Sequence, residues 1–293
     1  MTSDPSDTRD SPKKPTRRLT AEAFVAGDAP YPGHLVAEQS DFIEQEVARR
    51  THAAVKETNK EALAVQDVII RTITLLAETG DSATGNHVPR IQHYVRALAI
   101  SLQKTPRFAA VLTDPQIELL FKFAPLHDIG KVGIPDRILL KPGKLTADEF
   151  DVMKNHTLLG FDAIGQAELA LGQSLPILQL AKDMVLSHQE KWDGTGYPHG
   201  LAGEAIPLAA RLLSVADVYD ALISERIYKR AVPHDEAVAI IFQGRGSQFD
   251  PDMVDAFIEI QYEIQYIAER FADTESAMQK KIEYMANAIA ENP

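Results

Sequence analysis

The chain has 293 residues and a formal net charge of −12, with 42 acidic residues against 30 Lys and Arg. This balance argues against binding of duplex nucleic acid, because neutralising phosphates requires clustered cations. The lack of cysteine excludes disulfides, thiolate metal sites and cysteine nucleophiles. No apolar run approaches the ~18 residues of a membrane span, and residues 1–20 contain no secretory signal. We therefore expect a cytoplasmic protein with no membrane partner, in which any metal is held by His, Asp or Glu.

The N-terminal residues 1–40 are predicted to be disordered, because Met1 and Leu19 are the only apolar side chains in the first half of this polar, Pro-containing segment. Gly and Pro are absent from residues 41–79, where helix-forming residues dominate, so a long helix is expected there. We interpret residues 41–72 as a helical stalk. Its thin apolar stripe fits a solvated helix and equally a stalk that pairs with a second copy of the chain.

The rest of the chain shows signals of successive helices. Asp114 followed by Pro115 is typical of a helix start, and Thr146 with Glu149 predicts a capping box. We find no alternation of apolar and polar residues that would indicate strands. The predicted fold is therefore all-α, with a main domain over residues 73–272 and a helical C-terminal tail over residues 273–293.

His127 and Asp128 form a His-Asp pair at the end of a predicted apolar helix. A buried carboxylate needs a partner, and metal ions would suffice, since imidazole can bind one ion while the carboxylate bridges to a second. Taken alone, however, the dipeptide is better explained by a local ion pair at a helix end.

The surrounding motifs carry more information. Residues 127–146 read HDIGKVGIPDRILLKPGKLT, and residues 187–230 contain DGTGYP and VADVYDAL. Together with residues 75–99 and 244–257, they closely resemble the HD-GYP phosphodiesterases, a branch of the HD hydrolase superfamily. The resemblance covers most of residues 60–271. It implies an HD-type helical bundle that holds two divalent ions, with iron or manganese expected first and zinc or nickel as alternatives. It also implies hydrolysis of cyclic di-GMP, or a related cyclic dinucleotide, to pGpG or GMP in bacterial second-messenger signalling.

The resemblance also implies roles for individual residues. Asp128 would bridge the two ions, and Lys131 would act near the scissile phosphate as an acid or an electrostatic stabiliser. The implied metal ligands are His87, His127, Asp128, His156, His188 and Asp217. The implied contacts to the cyclic dinucleotide are Gly196, Tyr197, Pro198, Arg226 and Lys229.

The sequence departs from the family pattern in three places. Gln189 stands where the family usually has a second His, and Ala83 stands where relatives with three metals have Glu. Both changes leave open a domain that senses a cyclic dinucleotide, or binds a signalling protein, without turnover. Residues 44–55 resemble the linker helix that follows a receiver domain in response regulators, yet the preceding residues are too few and too polar for a receiver. We expect a homodimer formed through the stalk.

Overall fold

The computed structural model describes residues 32–78, 86–141, 143–225, 230–272 and 279. The regular elements in these ranges are helices, which confirms the predicted all-α fold. The α-helices are α1 (Pro32–Glu78), α2 (His87–Gln103), α3 (Asp114–Phe123), α4 (Asp136–Leu139), α5 (Ala147–Lys154), α6 (His156–Leu171), α7 (Pro176–Ser187), α8 (Leu208–Ile223), α9 (His234–Gln243), α10 (Pro251–Glu259) and α11 (Gln261–Arg270). Two 3-10 helices span Ala124–Gly133 and Gly203–Ala205.

The long helix α1 begins at Pro32, earlier than the residue 41 that the sequence indicated. Residues 32–40 of the segment expected to be disordered are part of this helix, and the remainder of that segment lies outside the described residues. A proline in the first turn of a helix leaves no hydrogen bond unmade, which explains a start at this point. Within the described residues, no helix is long and apolar enough to cross a membrane. The predicted C-terminal tail, apart from residue 279, also lies outside the description.

The chain divides into two units, residues 1–63 and 64–293. In the second unit, α2 and α8 form the centre of the core, with α3, α10 and α11 packed against α2. Tyr94 of α2 and Tyr219 of α8 are fully buried, and their rings meet edge to face with centroids 5.5 Å apart. Because α2 and α8 are packed in this way, side chains at the start of α2 and in the second half of α8 are held at fixed positions.

A close contact between backbones brings the first 3-10 helix against α6. A Cβ atom on Gly130 would lie 1.9 Å from the carbonyl oxygen of His156 and 2.6 Å from the amide nitrogen of Gly160. A Cβ on Gly160 would in turn lie 2.6 Å from a methyl group of Val185 in α7. Glycine at both positions therefore allows the His-Asp pair of residues 127 and 128 to approach His156.

Candidate metal centre

Four buried histidines point their Nε2 atoms toward a common region. In each of them Nδ1 faces a hydrogen-bond acceptor, so Nδ1 carries a proton and Nε2 is the ring atom left to face a cation. The Nδ1 contacts are His87 to Asp220 Oδ2 at 2.7 Å, His127 to Ala124 O at 2.9 Å, His156 to Met153 O at 2.8 Å, and His188 to Val185 O at 3.0 Å. The backbone of the helix ends thus orients three of the four rings.

The six side chains that the sequence named as ligands fall into two clusters. The first cluster is His87, His127 and Asp217, and the second is Asp128, His156 and His188. Within each cluster, one potential ligand atom per residue lies within 4.8 Å of the others. The sequence positions are far apart, so the packing of α2, α6, α7 and α8 around the first 3-10 helix creates both clusters.

Asp128 faces both clusters with different oxygens. Its Oδ2 lies 3.3 Å from Nε2 of His127, and its Oδ1 lies 3.4 Å from Nε2 of His156 and 3.6 Å from Nε2 of His188. The ammonium group of Lys131 lies 2.6 Å from Oδ2. Burial raises the pKa of Asp128, but the positive charges of Lys131 and His127 outweigh it and hold the pKa well below its usual range. Asp128 is therefore ionised at neutral pH and lies between the two clusters.

The donor atoms fit divalent cations. Nε2 of His127 is buried, and although Oδ2 of Asp128 lies 3.3 Å away, the two atoms are not aligned for a hydrogen bond. Nε2 of His156 and Nε2 of His188 lie 3.3 Å apart, and two lone pairs at this distance repel each other unless a positive charge lies between them. Imidazole nitrogens with carboxylate oxygens suit iron, manganese, zinc or nickel, so the residues are consistent with metal binding without selecting one metal.

The electrostatic environment differs between the two clusters. Burial lowers the pKa of His127, but the carboxylates of Asp128 and Asp217 outweigh it and raise the pKa to about 9. Burial lowers the pKa of His156 to about 4, with repulsion from His188 and Lys131 acting against the attraction of Asp128. The surroundings therefore favour a positive charge at His127 and disfavour it at His156.

A buried ion pair lies behind His87, and its arginine, Arg90, was not assigned from the sequence. The buried carboxylate of Asp220 accepts hydrogen bonds from Arg90 at 2.6 and 2.9 Å, in addition to its contact with His87. Burial raises the pKa of Asp220, but hydrogen bonds and charge from His87 and Arg90 hold it well below its usual range. Arg90 follows His87 by three residues and Asp220 follows Asp217 by three, and this helical spacing was the signal that could have linked the two pairs.

The loop with the sequence DGTGYP folds back on the residues that follow His188. A Cβ on Gly196 would lie 2.4 Å from Cα of Glu190, so this glycine approaches the chain's own backbone. The buried carboxylate of Glu190 accepts hydrogen bonds from the backbone amides of His199 at 2.8 Å and Leu201 at 3.1 Å. The amide of Tyr197 donates to the carbonyl of Gln189 at 3.2 Å. Glu190 therefore fixes this loop through two of its backbone amides.

This folding places the Tyr197 ring beside the second cluster. Its centroid lies 6.3 Å from that of the His156 ring, and the following Pro198 is joined to it by a cis peptide bond. Burial and the charge of Asp128 raise the pKa of the Tyr197 phenol above its ordinary value. The other two residues predicted to contact a dinucleotide, Arg226 and Lys229, lie outside the described residues, as does Ala83.

The helical scaffold with its paired His and Asp clusters is that of the HD domains. The family model described as "HD domain" matches residues 86–253, which is more than half of the chain. The chain therefore belongs to the HD domain family, and the membership predicted from the motifs is confirmed.

Curated relatives point within the family to phosphodiesterases. The chain is 51% identical, over 83% of its length and 54% of the relative's, to a "Probable cyclic di-GMP phosphodiesterase" of Vibrio cholerae serotype O1. It is 52% identical to a "Cyclic di-GMP phosphodiesterase" of that organism, over 75% of this chain and 44% of the relative. It is 33% identical to the organism's "3'3'-cGAMP-specific phosphodiesterase 2", over 70% of this chain and 35% of the relative. The chain spans about half the length of the first two relatives or less.

Proposed function

We propose that this chain is a metal-dependent phosphodiesterase that hydrolyses cyclic di-GMP to pGpG or GMP. The observation that carries the proposal is the position of Asp128, whose two oxygens face two separate histidine clusters. Relatives more than 50% identical over most of this chain are described as cyclic di-GMP phosphodiesterases, which favours this dinucleotide as the substrate.

We assign the metal ligands as His87, His127, Asp128, His156, His188 and Asp217, holding two divalent ions, with iron or manganese expected first. When bound, such ions neutralise a phosphodiester, lower the pKa of a coordinated water and stabilise the leaving oxygen. The packing at Gly130 keeps the ligands of α6 close to Asp128. The carbonyl contacts of the imidazole rings keep each Nε2 available to a cation.

Lys131 and Tyr197 supply protons and hydrogen bonds in this proposal. The ammonium of Lys131 lies beside Asp128 and can stabilise negative charge on the phosphate or donate a proton to the leaving oxygen. Because the pKa of Tyr197 is raised, its hydroxyl stays protonated and can donate a hydrogen bond to a phosphate oxygen. Gly196 and Pro198 shape the loop that carries Tyr197. By resemblance, Arg226 and Lys229 complete phosphate binding, since guanidinium and ammonium groups pair with phosphate oxygens.

The test combines elemental analysis of the purified protein with a cyclic di-GMP turnover assay under added Mn²⁺ or Fe²⁺. We expect about two metals per chain, because the proposed site holds two ions. We also expect Asp128→Ala to lose both the metal and the turnover. Substitution of an exposed aspartate on α9, Asp235→Ala, is the control and should leave both unchanged. Turnover that survives in Asp128→Ala, or a wild-type protein that hydrolyses no cyclic dinucleotide with any divalent ion, would contradict the proposal.

Gln189 favours a second candidate function, a cyclic-dinucleotide sensor or protein-interaction module without turnover. This half-buried residue follows the second-cluster ligand His188 and offers a neutral amide where relatives usually have imidazole. An amide is a poor ligand for transition metals. In Gln189→His, a large gain in rate would support a weakened but competent hydrolase. Cyclic di-GMP binding without turnover in both proteins would support the sensor.

We further propose that residues 41–72 act as a stalk that joins two copies of the 73–272 domain. Val55 and Ile69 are exposed on α1 and lie two heptads apart, which places them at equivalent positions of a coiled-coil seam. Sedimentation equilibrium should give a dimer for the wild-type protein and a monomer for the Val55→Glu, Ile69→Glu double variant. An exposed polar position, Glu57→Gln, serves as the control. A monomeric wild-type protein at micromolar concentration would contradict the proposal.

A further inference from the structure

The short helix α5 stays at the surface, although it lies close in sequence to a ligand of the buried second cluster. It runs from Ala147 to Lys154, two residues before the proposed ligand His156, and none of its residues is buried. Its phenylalanine, Phe150, is 44% exposed. Because apolar surface in water is unfavourable, an aromatic ring left open beside a proposed active site is a candidate for contact with a ligand.

The ring of Phe150 continues a row of rings that leads outward from the second cluster. Its centroid lies 6.0 Å from that of Tyr197, edge to face, and Tyr197 lies 6.3 Å from His156. The ammonium of Lys154 lies 5.0 Å from the Phe150 centroid and is held by Asp151 at 2.6 Å. Tyr197 thus contacts both Phe150 and the proposed ligand His156, and Phe150 lies further from the metal ligands than Tyr197 does.

The backbone that carries Phe150 is fixed by a capping box. The amide of Glu149 donates to the Thr146 hydroxyl at 3.3 Å, and the Glu149 carboxylate accepts from the Thr146 amide at 2.7 Å. The same carboxylate pairs with Lys141. A ring held on an ordered helix turn loses little conformational entropy on binding, so it can serve as a preformed platform.

We propose that Phe150 is a substrate-binding residue that stacks against one nucleobase of the cyclic dinucleotide. The inference rests on the proposed function, because the phosphate must lie at the two clusters. Each base of a dinucleotide is joined to its phosphates through a single ribose, so a base must lie a short distance outward from the clusters. Every nucleobase offers a flat face to an aromatic side chain, and Phe150 is an exposed ring in that direction.

The test measures hydrolysis and ligand binding in the metal-loaded protein for Phe150→Leu, which keeps an apolar side chain without an aromatic face. We expect KM for cyclic di-GMP to rise about tenfold, within the range found for loss of one base–aromatic stack, with kcat and metal content unchanged. Phe150→Tyr should restore the wild-type KM. The matched control is Phe242→Leu, since Phe242 is an exposed phenylalanine on α9 at 57%, and it should behave as wild type.

Direct binding of GMP and of ribose 5-phosphate, measured by calorimetry, separates this inference from the proposed function. Phe150→Leu should weaken GMP binding and leave ribose 5-phosphate binding unchanged, because the second ligand has no base. Equal weakening of both ligands, or no weakening of GMP, would overturn the assignment of Phe150. A wild-type protein that binds GMP through Phe150 but never hydrolyses a cyclic dinucleotide would contradict the proposed hydrolysis and still support the base contact.

Discussion

The carboxylate of Asp220 and the imidazole of His87 are joined by a 2.7 Å hydrogen bond that is buried between α2 and α8. The contact fixes the proton on Nδ1 of His87, so that Nε2 can face Asp217. Asp220 is itself held by the guanidinium of Arg90. The orientation of a proposed metal ligand therefore depends on a charge pair that touches no metal-binding atom directly.

We expect Asp220→Asn to weaken metal binding by about 10- to 100-fold, the range seen when a carboxylate behind a ligating histidine is removed. The amide can still accept a hydrogen bond, but it no longer compensates the charge of Arg90. Titration of the metal into each protein in a calorimeter measures the change in metal affinity. Asp255→Asn is the control, because it removes a similar but exposed ion pair with Arg245, worth about 0–1 kcal/mol. Equal effects of both variants would show that Asp220 does not position His87.

Gly130→Ala should disrupt the approach of the first 3-10 helix to α6. The new methyl group would lie 1.9 Å from the carbonyl oxygen of His156, and overpacking of this kind costs about 1–3 kcal/mol of the free energy of unfolding or more. We expect both lower stability in urea and loss of metal from the clusters. Gly165→Ala, on α6 with nothing within 4 Å of the added Cβ, should instead stabilise the helix by about 0.5–1 kcal/mol.

Glu190→Gln should loosen the loop that carries Tyr197. The carboxylate accepts two backbone hydrogen bonds in a buried position, whereas an amide can satisfy one of these donors and turns its own NH₂ toward the other. Leaving a buried donor unsatisfied costs about 1–3 kcal/mol. We expect a higher KM for cyclic di-GMP with unchanged metal content, measured by steady-state kinetics and elemental analysis. A loss of metal would instead place Glu190 in the support of the ligands.

Removal of metal should lower the thermal midpoint of the second unit. The clusters bring four imidazoles and two carboxylates together, and a cation that binds the folded form alone adds about 2.7 kcal/mol at one hundred times its Kd. Scanning calorimetry with EDTA, followed by readdition of Mn²⁺, measures the difference. Asp128→Asn should show a much smaller metal-dependent shift than the wild-type protein, and an identical shift would contradict the assignment of the clusters as metal sites.

Helix signals that depend on near neighbours were predicted well from the sequence. The capping box of Thr146 and Glu149 is confirmed at the start of α5, and Asp114 with Pro115 begins α3. Helix α1 begins at Pro32, earlier than the polar composition of the residues before Asp41 indicated. Local signals thus locate the starts of helices such as α3 and α5, whereas composition alone does not fix the residue at which α1 begins.

The sequence by itself determined the all-helical fold, the family and the residue types of a metal site, because these depend on helix propensity and on motifs of a few neighbouring residues. The tertiary structure alone decided that Arg90 and Asp220 support His87 and that Glu190 holds the Tyr197 loop, and it supplied the distances from the two oxygens of Asp128 to the two clusters. These contacts join residues far apart in the chain, and burial makes their hydrogen bonds necessary. Their partners therefore become identifiable only when the helices are packed.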